Sequence, residues 1–570
     1  MAAPKAMPVF FFAPRKSVPF LVLGLLLCCL SACVGVRTDA KPAAPPYPPL
    51  ETEAKNGNFE HLAELRAAWL QLPDAATRLT RLTELENQAL QMLDQPLRLG
   101  AIGTAILDDY PGSLLGQMVM ASFYERVAQP ADAAKANAAV KAIAEQLLKA
   151  GDGSAASPYP AIATSDATAF MRQQGFVGLG SIYTDTVDGK LHLNLLVSQG
   201  VGKPLRTLVF NVTPTFNRLL QVRGMPNGKQ PSVPQLIFDL ARHGDSGAMT
   251  TAATQLLREE VAQQAPAFRL LQQAVTDGNL YARLSLAQAY LNLYGSEADA
   301  EQRQELLNHA IEQLEQSVAA GSDVAMLELG RVYVSGIAGN KRQAEGVALI
   351  QKSVDLQQPS AMLLLSRLYN EGEGVPKDAA RAKALLLQAA KLDLIDAKLE
   401  YAQVQLTSTP ATLDDQARTW LIALAKAEQP SAMLMLAGAH ARGVNGPTDI
   451  RAAKKLYKSV ADNARKDPGI INDVVWTLTV TDVQQLRDPR EALKLMDEMM
   501  NANKDAARNP AYLDTWAAAN AANGKFPRAI ELQEQAVTAA KAQAKPDVVK
   551  QLDEHLAAFK RGEVISEKVP

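Results

Sequence analysis

The chain has 570 residues, a length that corresponds to about three or four domains of ordinary size or to one long array of repeats. Its 58 basic and 60 acidic residues leave a net charge of -2, which argues against a protein that coats nucleic acid, because such proteins are normally basic. All three cysteines, Cys28, Cys29 and Cys33, lie within the first 33 residues, so the remainder can hold neither a disulfide framework nor a thiolate zinc site nor a cysteine nucleophile.

The first predicted element is an export signal. Arg15 and Lys16 precede an apolar run from Val18 to Leu30, which has the length of a signal-peptide core and falls short of the about 20 apolar residues of a membrane span. The run ends in Leu-Ser-Ala-Cys, with the cysteine at position 33. This ending resembles the lipobox of bacterial lipoproteins, where small residues precede a cysteine that receives diacylglycerol before cleavage. An ordinary signal peptide and an uncleaved anchor are the alternatives.

The lipobox resemblance implies a lipid anchor and a location. Residues 1–32 would be a lipoprotein signal peptide, and Cys33 would become the acylated first residue, with acyl chains such as palmitate. The absence of Asp at position 34, which is Val34, resembles the outer-membrane sorting pattern and implies a body in the periplasm, with surface display as the alternative. Five prolines within residues 42–49 favour an extended chain, so residues 33–50 are predicted to be a tether. Cleavage would leave 55 basic and 60 acidic residues, a net charge of -5.

Residues 51–153 are predicted to form an N-terminal helical region. Leu62, Leu65, Trp69 and Leu72 recur at spacings of three and four residues, which places them on one face of a helix. A Gly-Asp-Gly sequence at residues 151–153 ends the last helix of this region.

Residues 154–245 are predicted to be a small α+β segment. Two β-rich runs, 182–187 and 190–197, flank an Asp-Gly pair, which is the strongest short-range signal for a hairpin. Residues 205–212 form a third predicted strand, which Pro214 ends. Ser165 is the predicted N-cap of a preceding helix, and the glycine-rich stretch 175–180 is interpreted as a turn.

The chain becomes repetitive in residues 246–465. Four similar segments begin at Ala325, Ala361, Ala397 and Ala432, which are 36, 36 and 35 residues apart, and a fifth begins at Ala282, 43 residues before the first. Such a period predicts antiparallel helix pairs that stack, since one pair cannot bury its apolar face alone. Small residues at these positions and at Gly330 let the paired helices approach closely.

Two parts of this repetitive region resemble known repeats. The turn Tyr-Asn-Glu-Gly-Glu-Gly-Val-Pro-Lys-Asp at residues 369–378 resembles that of the Sel1-like relative of the tetratricopeptide repeat (TPR), and other units keep only part of it. Residues 466–570 resemble tetratricopeptide repeats with a capping helix, with Gly524, Ala529 and Ala536 at the family's small positions. The predicted fold class is therefore mostly α, an α-solenoid of TPR/Sel1-like helix pairs with a small α+β segment before the repeats.

The sequence contains no recognisable catalytic or metal-binding motif. The six histidines lie far apart, and none has a His or Glu partner at the spacing of a zinc protease. We therefore expect no enzyme, no cofactor and no metal. The competing hypothesis is an enzyme or ligand-sensing module in the α+β segment, docked by the repeats, with four polar strand residues building its site: Tyr183, Asp185, His192 and Asn194.

The leading prediction is a lipid-anchored scaffold or adaptor of the cell envelope. Helical arrays present a long curved face built from exposed side chains of their first helices, and such a face suits a protein or peptide partner. Similar envelope proteins with these repeats act as assembly adaptors, often in polysaccharide export, so the resemblance implies an envelope partner; no nucleic acid is expected. Position within each repeat selects six residues for the partner-binding face: Glu328, Arg331, Arg367, Lys398, Gln403 and Arg442.

Overall fold

The computed structural model describes residues 46–200, 203–222, 231–258, 264–465, 467–543 and 546–568. The predicted signal peptide, Cys33 and most of the predicted tether lie outside these residues. The described residues form two compact units, one up to Leu356 and one from Gln357 onwards. The predicted fold class is confirmed: both units consist mostly of helix pairs, and a small sheet precedes the repeats. In the described part of the chain, no helix has both the length and the apolar character needed to cross a bilayer.

The first unit begins with six helices that bury the predicted apolar stripe. Leu62, Leu65 and Trp69 are buried, and Leu72 is half-buried. The Trp69 indole N–H donates to the backbone oxygen of Asp109 at 3.0 Å, so the largest side chain of this core has a partner for its polar atom. The helices are α1 Tyr47–Lys55, α2 Leu62–Leu70, α3 Ala75–Gln91, α4 Pro96–Asp109, α5 Leu114–Arg126 and α6 Pro130–Ala150.

The predicted hairpin is confirmed, and it is part of a four-stranded sheet of order β1-β4-β3-β2. The sheet consists of β1 Tyr159–Pro160, β2 Val177–Asp185, β3 Leu191–Ser198 and β4 Arg206–Asn211. Strands β2, β3 and β4 pair antiparallel, whereas the short β1 pairs parallel with β4 and had no signal in the sequence. The turn interpretation of the glycine-rich stretch was wrong for residues 177–180, because they belong to β2, with a register shift between Gly178 and Gly180.

Three helices accompany this sheet, and one of them corrects a sequence prediction. They are α7 Thr164–Gln173, α8 Thr213–Val222 and α9 Val233–Arg242. The N-cap of α7 is Ala163, so the assignment of Ser165 as the cap was wrong. The Ser165 hydroxyl instead donates to the carboxylate of Glu86 at 2.6 Å, a partner that lies 79 residues earlier in the chain.

A buried polar cluster joins the N-terminal helices to the α+β segment. Arg66 on α2 pairs with Asp166 on α7 at 3.0 Å, and their side chains are only 8% and 6% exposed. The Glu86 carboxylate on α3 accepts one hydrogen bond from the Ser165 hydroxyl and another from the Ser113 hydroxyl, each at 2.6 Å. Since these groups have been removed from water, each depends on its partners in the cluster, which we call the α2–α7 charge cluster.

The repeats of the first unit begin where its sheet ends. Thr251 covers the outer edge of β2, because its hydroxyl accepts from the Tyr183 backbone N–H at 2.9 Å. Asn279 caps the next helix pair and donates to the Ser181 backbone oxygen at 2.8 Å. The edge strand therefore has partners for its backbone groups. The helices are α10 Ser246–Leu256, α11 Gln264–Thr276, α12 Leu280–Ser296, α13 Ala300–Ala319, α14 Asp323–Val334 and α15 Gln343–Asp355.

The predicted close approach at Gly330 is confirmed. A Cβ atom added to Gly330 on α14 would lie 2.8 Å from the Gly346 backbone oxygen on α15, and a Cβ added to Gly346 would lie 2.7 Å from the Gly330 oxygen. Two glycines therefore face each other, and the two helix backbones meet with no side chain between them.

The second unit contains eleven described α-helices, which form five successive pairs and one final helix. They are α16 Pro359–Glu371, α17 Ala379–Lys391, α18 Ile395–Leu406, α19 Asp415–Lys426, α20 Pro430–Arg442, α21 Ile450–Asn463, α22 Pro468–Val480, α23 Pro489–Ala502, α24 Pro510–Ala522, α25 Phe526–Ala542 and α26 Pro546–Lys560.

The turn before each repeat recurs with the period of the starting alanines. The residue four positions before each alanine has a positive φ, between 57° and 88°, and these residues are Gly278, Gly321, Gln357, Asp393 and Glu428. A left-handed residue after a helix ends it and reverses the chain. The repeated alanines therefore mark a repeated backbone turn as well as a packing position.

The longer turn has the same backbone structure in two repeats, although the sequence of the second keeps only part of the Sel1-like pattern. Gly372 and Gly443 are left-handed residues that end α16 and α20. The backbone N–H of Asp378 then donates to the Tyr369 oxygen at 2.8 Å, and that of Asp449 donates to the His440 oxygen at the same distance. Both aspartates also cap the following helices through their carboxylates. This turn therefore sets the start of the second helix.

Candidate protein-binding surface

The first helices of the second unit expose a mixed polar and apolar stripe. Arg367 on α16 donates to Glu400 on α18 with an Nε–Oε2 distance of 2.9 Å, so neighbouring first helices contact each other through these positions. Gln403 and Val404 are on the same side of α18, since they follow Glu400 by three and four residues. We call the set of Leu364, Arg367, Glu400, Gln403 and Val404 the first-helix stripe.

The stripe is accessible and contains one residue that sequence analysis missed. Arg367 is exposed, whereas Leu364, Glu400 and Gln403 are half-buried. Val404, in the last turn of α18, is 52% exposed. The sequence shows that Val404 follows Glu400 by four residues. It does not show which side of α18 packs inward, and this decides whether Val404 is exposed. An exposed valine among charged groups is typical of a surface that can exclude water on binding.

Glu328 is a correction to the predicted binding face. Its side chain is only 1% exposed, and the Arg331 Nε lies 3.5 Å from its Oε2. Burial raises the pKa of Glu328 to about 7, although the charge of Arg331 opposes this shift. Glu328 is therefore enclosed by the first unit and cannot contact a partner, whereas Arg331 is half-buried at the corresponding surface position.

Lys398 and Arg442 also have partners within the second unit. Lys398 forms an ion pair with Asp393 and lies 5.7 Å from the ring centre of Trp420, so it faces α19 and not the first-helix stripe. Arg442, at the end of α20, donates to Asp482 at 3.0 Å. The six predicted residues therefore do not form one cluster: Arg367 and Gln403 are on the stripe, and Arg442 is near the loop after α22.

The competing site in the α+β segment is not assembled by the sheet. His192 pairs with Thr184 and Asn194 with Ile182, whereas Tyr183 pairs with Leu193 and Asp185 with Leu191. Paired residues of antiparallel strands point to the same face, and successive residues point to opposite faces. His192 and Asn194 therefore share one face, but Tyr183 and Asp185 are on the other.

Tyr183 has a structural role on its face of the sheet. Its hydroxyl contacts the Thr164 hydroxyl at 2.7 Å and donates to Asp245 at 3.1 Å, so it joins β2 to α7 and α10. Burial raises the pKa of this phenol well above its ordinary value. Across the described ranges, no group of three or more His, Cys, Asp or Glu side chains is arranged to hold a metal ion.

These features define a helical-repeat protein, built from successive helix pairs. The family model described as Sel1 repeat matches residues 359–394 and 430–464. These stretches correspond to the pairs α16–α17 and α20–α21, which share the Asp-capped turn. The chain therefore contains Sel1-like repeats. No curated protein sequence matches the chain.

Several solved structures are similar to this chain. One is c5321, a protective antigen of uropathogenic Escherichia coli with an SLR fold, which is 15% identical, has a TM-score of 0.34 and covers 59% of this chain and 77% of its own. A Sel1 repeat protein of Oxalobacter formigenes is 19% identical, with a TM-score of 0.34 and coverage of 56% and 90%. Yeast Tom70 is 12% identical, with a TM-score of 0.36 and coverage of 90% and 96%.

Proposed function

We propose that this chain is a lipid-anchored scaffold of the cell envelope that binds a protein partner through the first-helix stripe. The observation that carries the binding proposal is the stripe itself: an accessible arginine, two further polar side chains and an exposed valine on adjacent first helices. Proteins built from Sel1-like repeats are typically interaction scaffolds without catalytic activity. The lipobox-like sequence ending at Cys33 supports the anchor, and an envelope assembly, such as one for polysaccharide export, is the setting we propose.

The charge pattern of the stripe indicates the chemistry of the partner. Arg367 holds Glu400 in an exposed pair, and such pairs contribute at most about 1 kcal/mol, so a partner can replace either member at little cost. Arginine beside an aliphatic side chain is a frequent centre of protein interfaces, because it combines several donors with a flat apolar face. We therefore expect a partner segment that brings a carboxylate to Arg367 and an apolar side chain to Val404.

The binding proposal predicts a position-dependent crosslink. A photo-crosslinking amino acid at Gln403 in the full chain should capture one specific protein from envelope membranes, whereas the same group at Gln388, exposed on the second helix α17, should not. Arg367→Glu should reduce the Gln403 crosslink about tenfold, as expected for loss of a central interface arginine. The crosslinked protein is identified by mass spectrometry.

Lys391→Glu is the matched control for this experiment. Lys391 is exposed at the end of α17, and the variant makes the same change in charge away from the stripe. It should leave the crosslink unchanged. Equal crosslinking from Gln403 and Gln388, or equal loss in the two charge variants, would contradict a partner on the first-helix stripe.

The lipid anchor is tested separately. The wild-type chain expressed with its export signal should sediment with outer membranes and label with radioactive palmitate, whereas Cys33→Ala should lose the label and enter the soluble fraction. The physical reason is that several acyl chains bind a bilayer far more firmly than one. A wild-type chain that stays soluble without detergent would overturn the anchor, while the crosslinking experiment would still stand.

A further inference from the structure

A short segment after α26 folds back onto the second unit. Gly562 has a φ of 73°, a left-handed conformation that reverses the chain after the helix. Residues 563–568, which we call the returning segment, then run to the loop that follows α22. This loop contains Asp482, the partner of Arg442. The contact therefore lies beside one of the residues predicted to bind a partner.

The returning segment pairs with the loop as a strand would. The Glu567 backbone N–H donates to the Val480 oxygen at 2.7 Å, and the Asp482 N–H donates to the Glu567 oxygen at 2.9 Å. Glu567 thus forms a parallel bridge with Thr481. Backbone pairing of this kind accepts any extended peptide, because side chains take no part in it.

Side chains on both sides add selectivity to this pairing. The Arg487 guanidinium donates to the Ser566 hydroxyl at 2.7 Å. The Glu567 carboxylate lies 3.7 Å from Nε2 of His555, whose Nδ1 is 2.8 Å from Asp514. Ile565 packs, partly buried, against the apolar core of the unit. The second unit thus contacts an apolar residue through its core, a hydroxyl through Arg487 and an acid through His555, in succession along the returning segment.

His555 supplies a positive charge to this contact. Burial by itself lowers the pKa of the imidazole, but the carboxylates of Asp514 and Glu567 outweigh burial and raise the pKa to about 10. With the Arg487 guanidinium, two cations therefore face the returning segment at neutral pH. Asp514 balances part of this charge, and Gln533 donates to Asp514 at 2.7 Å.

We propose that the loop after α22 is a peptide-binding site and that the returning segment occupies it in place of a partner. The partner is a protein with an extended segment in which an apolar residue, a hydroxyl residue and an acidic residue follow one another, as Ile565, Ser566 and Glu567 do. That segment pairs in parallel with Thr481, accepts a hydrogen bond from the Arg487 guanidinium through its hydroxyl oxygen, and places its acid beside His555. The site is separate from the first-helix stripe and does not depend on the lipid anchor.

The contacts of the returning segment are few enough for exchange. Its polar contacts with the loop after α22 and with His555 comprise two backbone hydrogen bonds, one side-chain hydrogen bond and one ion pair, while Ile565 is only partly buried, Ser566 remains exposed and Val564 is 46% exposed. A segment tethered to the chain has an effective concentration of about 1 mM at its site. A free peptide that binds the same site with a Kd of about 100 µM would therefore bind the full chain roughly tenfold more weakly. The returning segment therefore lowers the affinity for a partner without abolishing it.

The test uses a fluorescent peptide with the sequence of residues 563–570, Glu-Val-Ile-Ser-Glu-Lys-Val-Pro. We expect a chain ending at Gly562 to bind this peptide about tenfold more tightly than the full chain, measured by fluorescence anisotropy. A control peptide with Lys in place of the second Glu should bind at least tenfold more weakly, because it places a cation beside His555. Arg487→Gln in the shortened chain should also weaken binding.

A second variant covers the case in which the shortened chain does not fold. Glu567→Lys in the full chain repels His555 and should release the returning segment, so this variant should bind the wild-type peptide more tightly than the parent does. Equal affinity of these two full chains would overturn the proposal, as would indifference to the control peptide. A dimer of the full chain that forms with rising concentration and is lost in the shortened chain would assign the site to segment exchange between copies instead.

Discussion

Asp166→Ala is expected to lower the free energy of unfolding of the first unit by about 3–5 kcal/mol. The substitution leaves the guanidinium of Arg66 buried without its counter-charge, and removal of one partner from a buried ion pair has an effect of this size. Asp166 also accepts from the Ile162 backbone N–H at 3.0 Å, so the loop before α7 loses a hydrogen bond as well. The effect should exceed that of any exposed ion pair in the same unit.

The measurement is a urea titration of the full chain. Trp420, Trp476 and Trp516 lie in the second unit, so replacing them with Phe in every variant leaves Trp69 as the reporter of the first unit. The matched control is Asp132→Ala, which removes an exposed carboxylate 3.8 Å from Lys135 and should change stability by less than about 1 kcal/mol.

A double variant separates charge from packing. Adding Arg66→Met to Asp166→Ala removes the unpaired guanidinium, so it should recover part of the lost stability. If the double variant is less stable than Asp166→Ala, the uncompensated charge is not the cause. A loss from Asp166→Ala no greater than that from Asp132→Ala would likewise contradict the role given to the α2–α7 charge cluster.

Glu86→Gln is expected to remove a pH dependence from the stability of the first unit. Burial raises the pKa of the Glu86 carboxyl to about 7, with the charge of Asp166 adding to the shift and the hydroxyls of Ser113 and Ser165 and the charge of Arg66 opposing it. The folded chain therefore holds this proton more tightly than the unfolded chain, whose pKa is near 4.5. The stabilisation is fully present below pH 4.5 and is lost as the pH rises through 7.

The size of this effect follows from the shift in pKa. One pKa unit corresponds to about 1.4 kcal/mol, so the wild-type chain should lose up to about 3 kcal/mol between pH 4.5 and 8 through this group. Glutamine keeps the shape and can bond to both hydroxyls without a charge. The difference in free energy of unfolding between wild type and Glu86→Gln should therefore shift in favour of the variant as the pH rises.

The same titration, repeated between pH 5 and 8 with Trp69 as reporter, measures this difference. Glu84→Gln is the control, because Glu84 is exposed on the same helix α3 and its substitution should leave the pH profile parallel to that of the wild type. Because the free energy of unfolding of each variant is compared with that of the wild type at the same pH, the contributions of other titrating groups, such as His192, cancel. Parallel profiles for wild type and Glu86→Gln would show that the carboxyl titrates alike in the folded and unfolded chain.

The repeats were predictable because their signals are local. The period of the starting alanines predicted the helix pairs, and a left-handed residue recurs with the same period, four positions before each alanine. The Asp-Gly hairpin was equally local. In each case the relevant contacts join residues close in sequence, so spacing and residue type are sufficient to predict them.

The residues proposed for partner binding show the limit of such local signals. Arg367 and Gln403 lie on the first-helix stripe, but Glu328 is buried and Lys398 faces α19. Position in the repeat gives the angle of a side chain around its helix. It does not show how closely the neighbouring helices cover that side chain, and this decides whether the side chain reaches water.

By itself, the sequence determined that this chain is built from helix pairs with a small sheet before them, because periodicity and turn residues act over a few positions. Only the tertiary structure decided which polar residues are buried together. Arg66 and Asp166 are separated by 100 residues, and Thr481 meets Glu567 across a similar stretch of chain. The cause is that burial of charges and pairing of distant backbone groups depend on how the whole unit packs, and no local pattern records that packing.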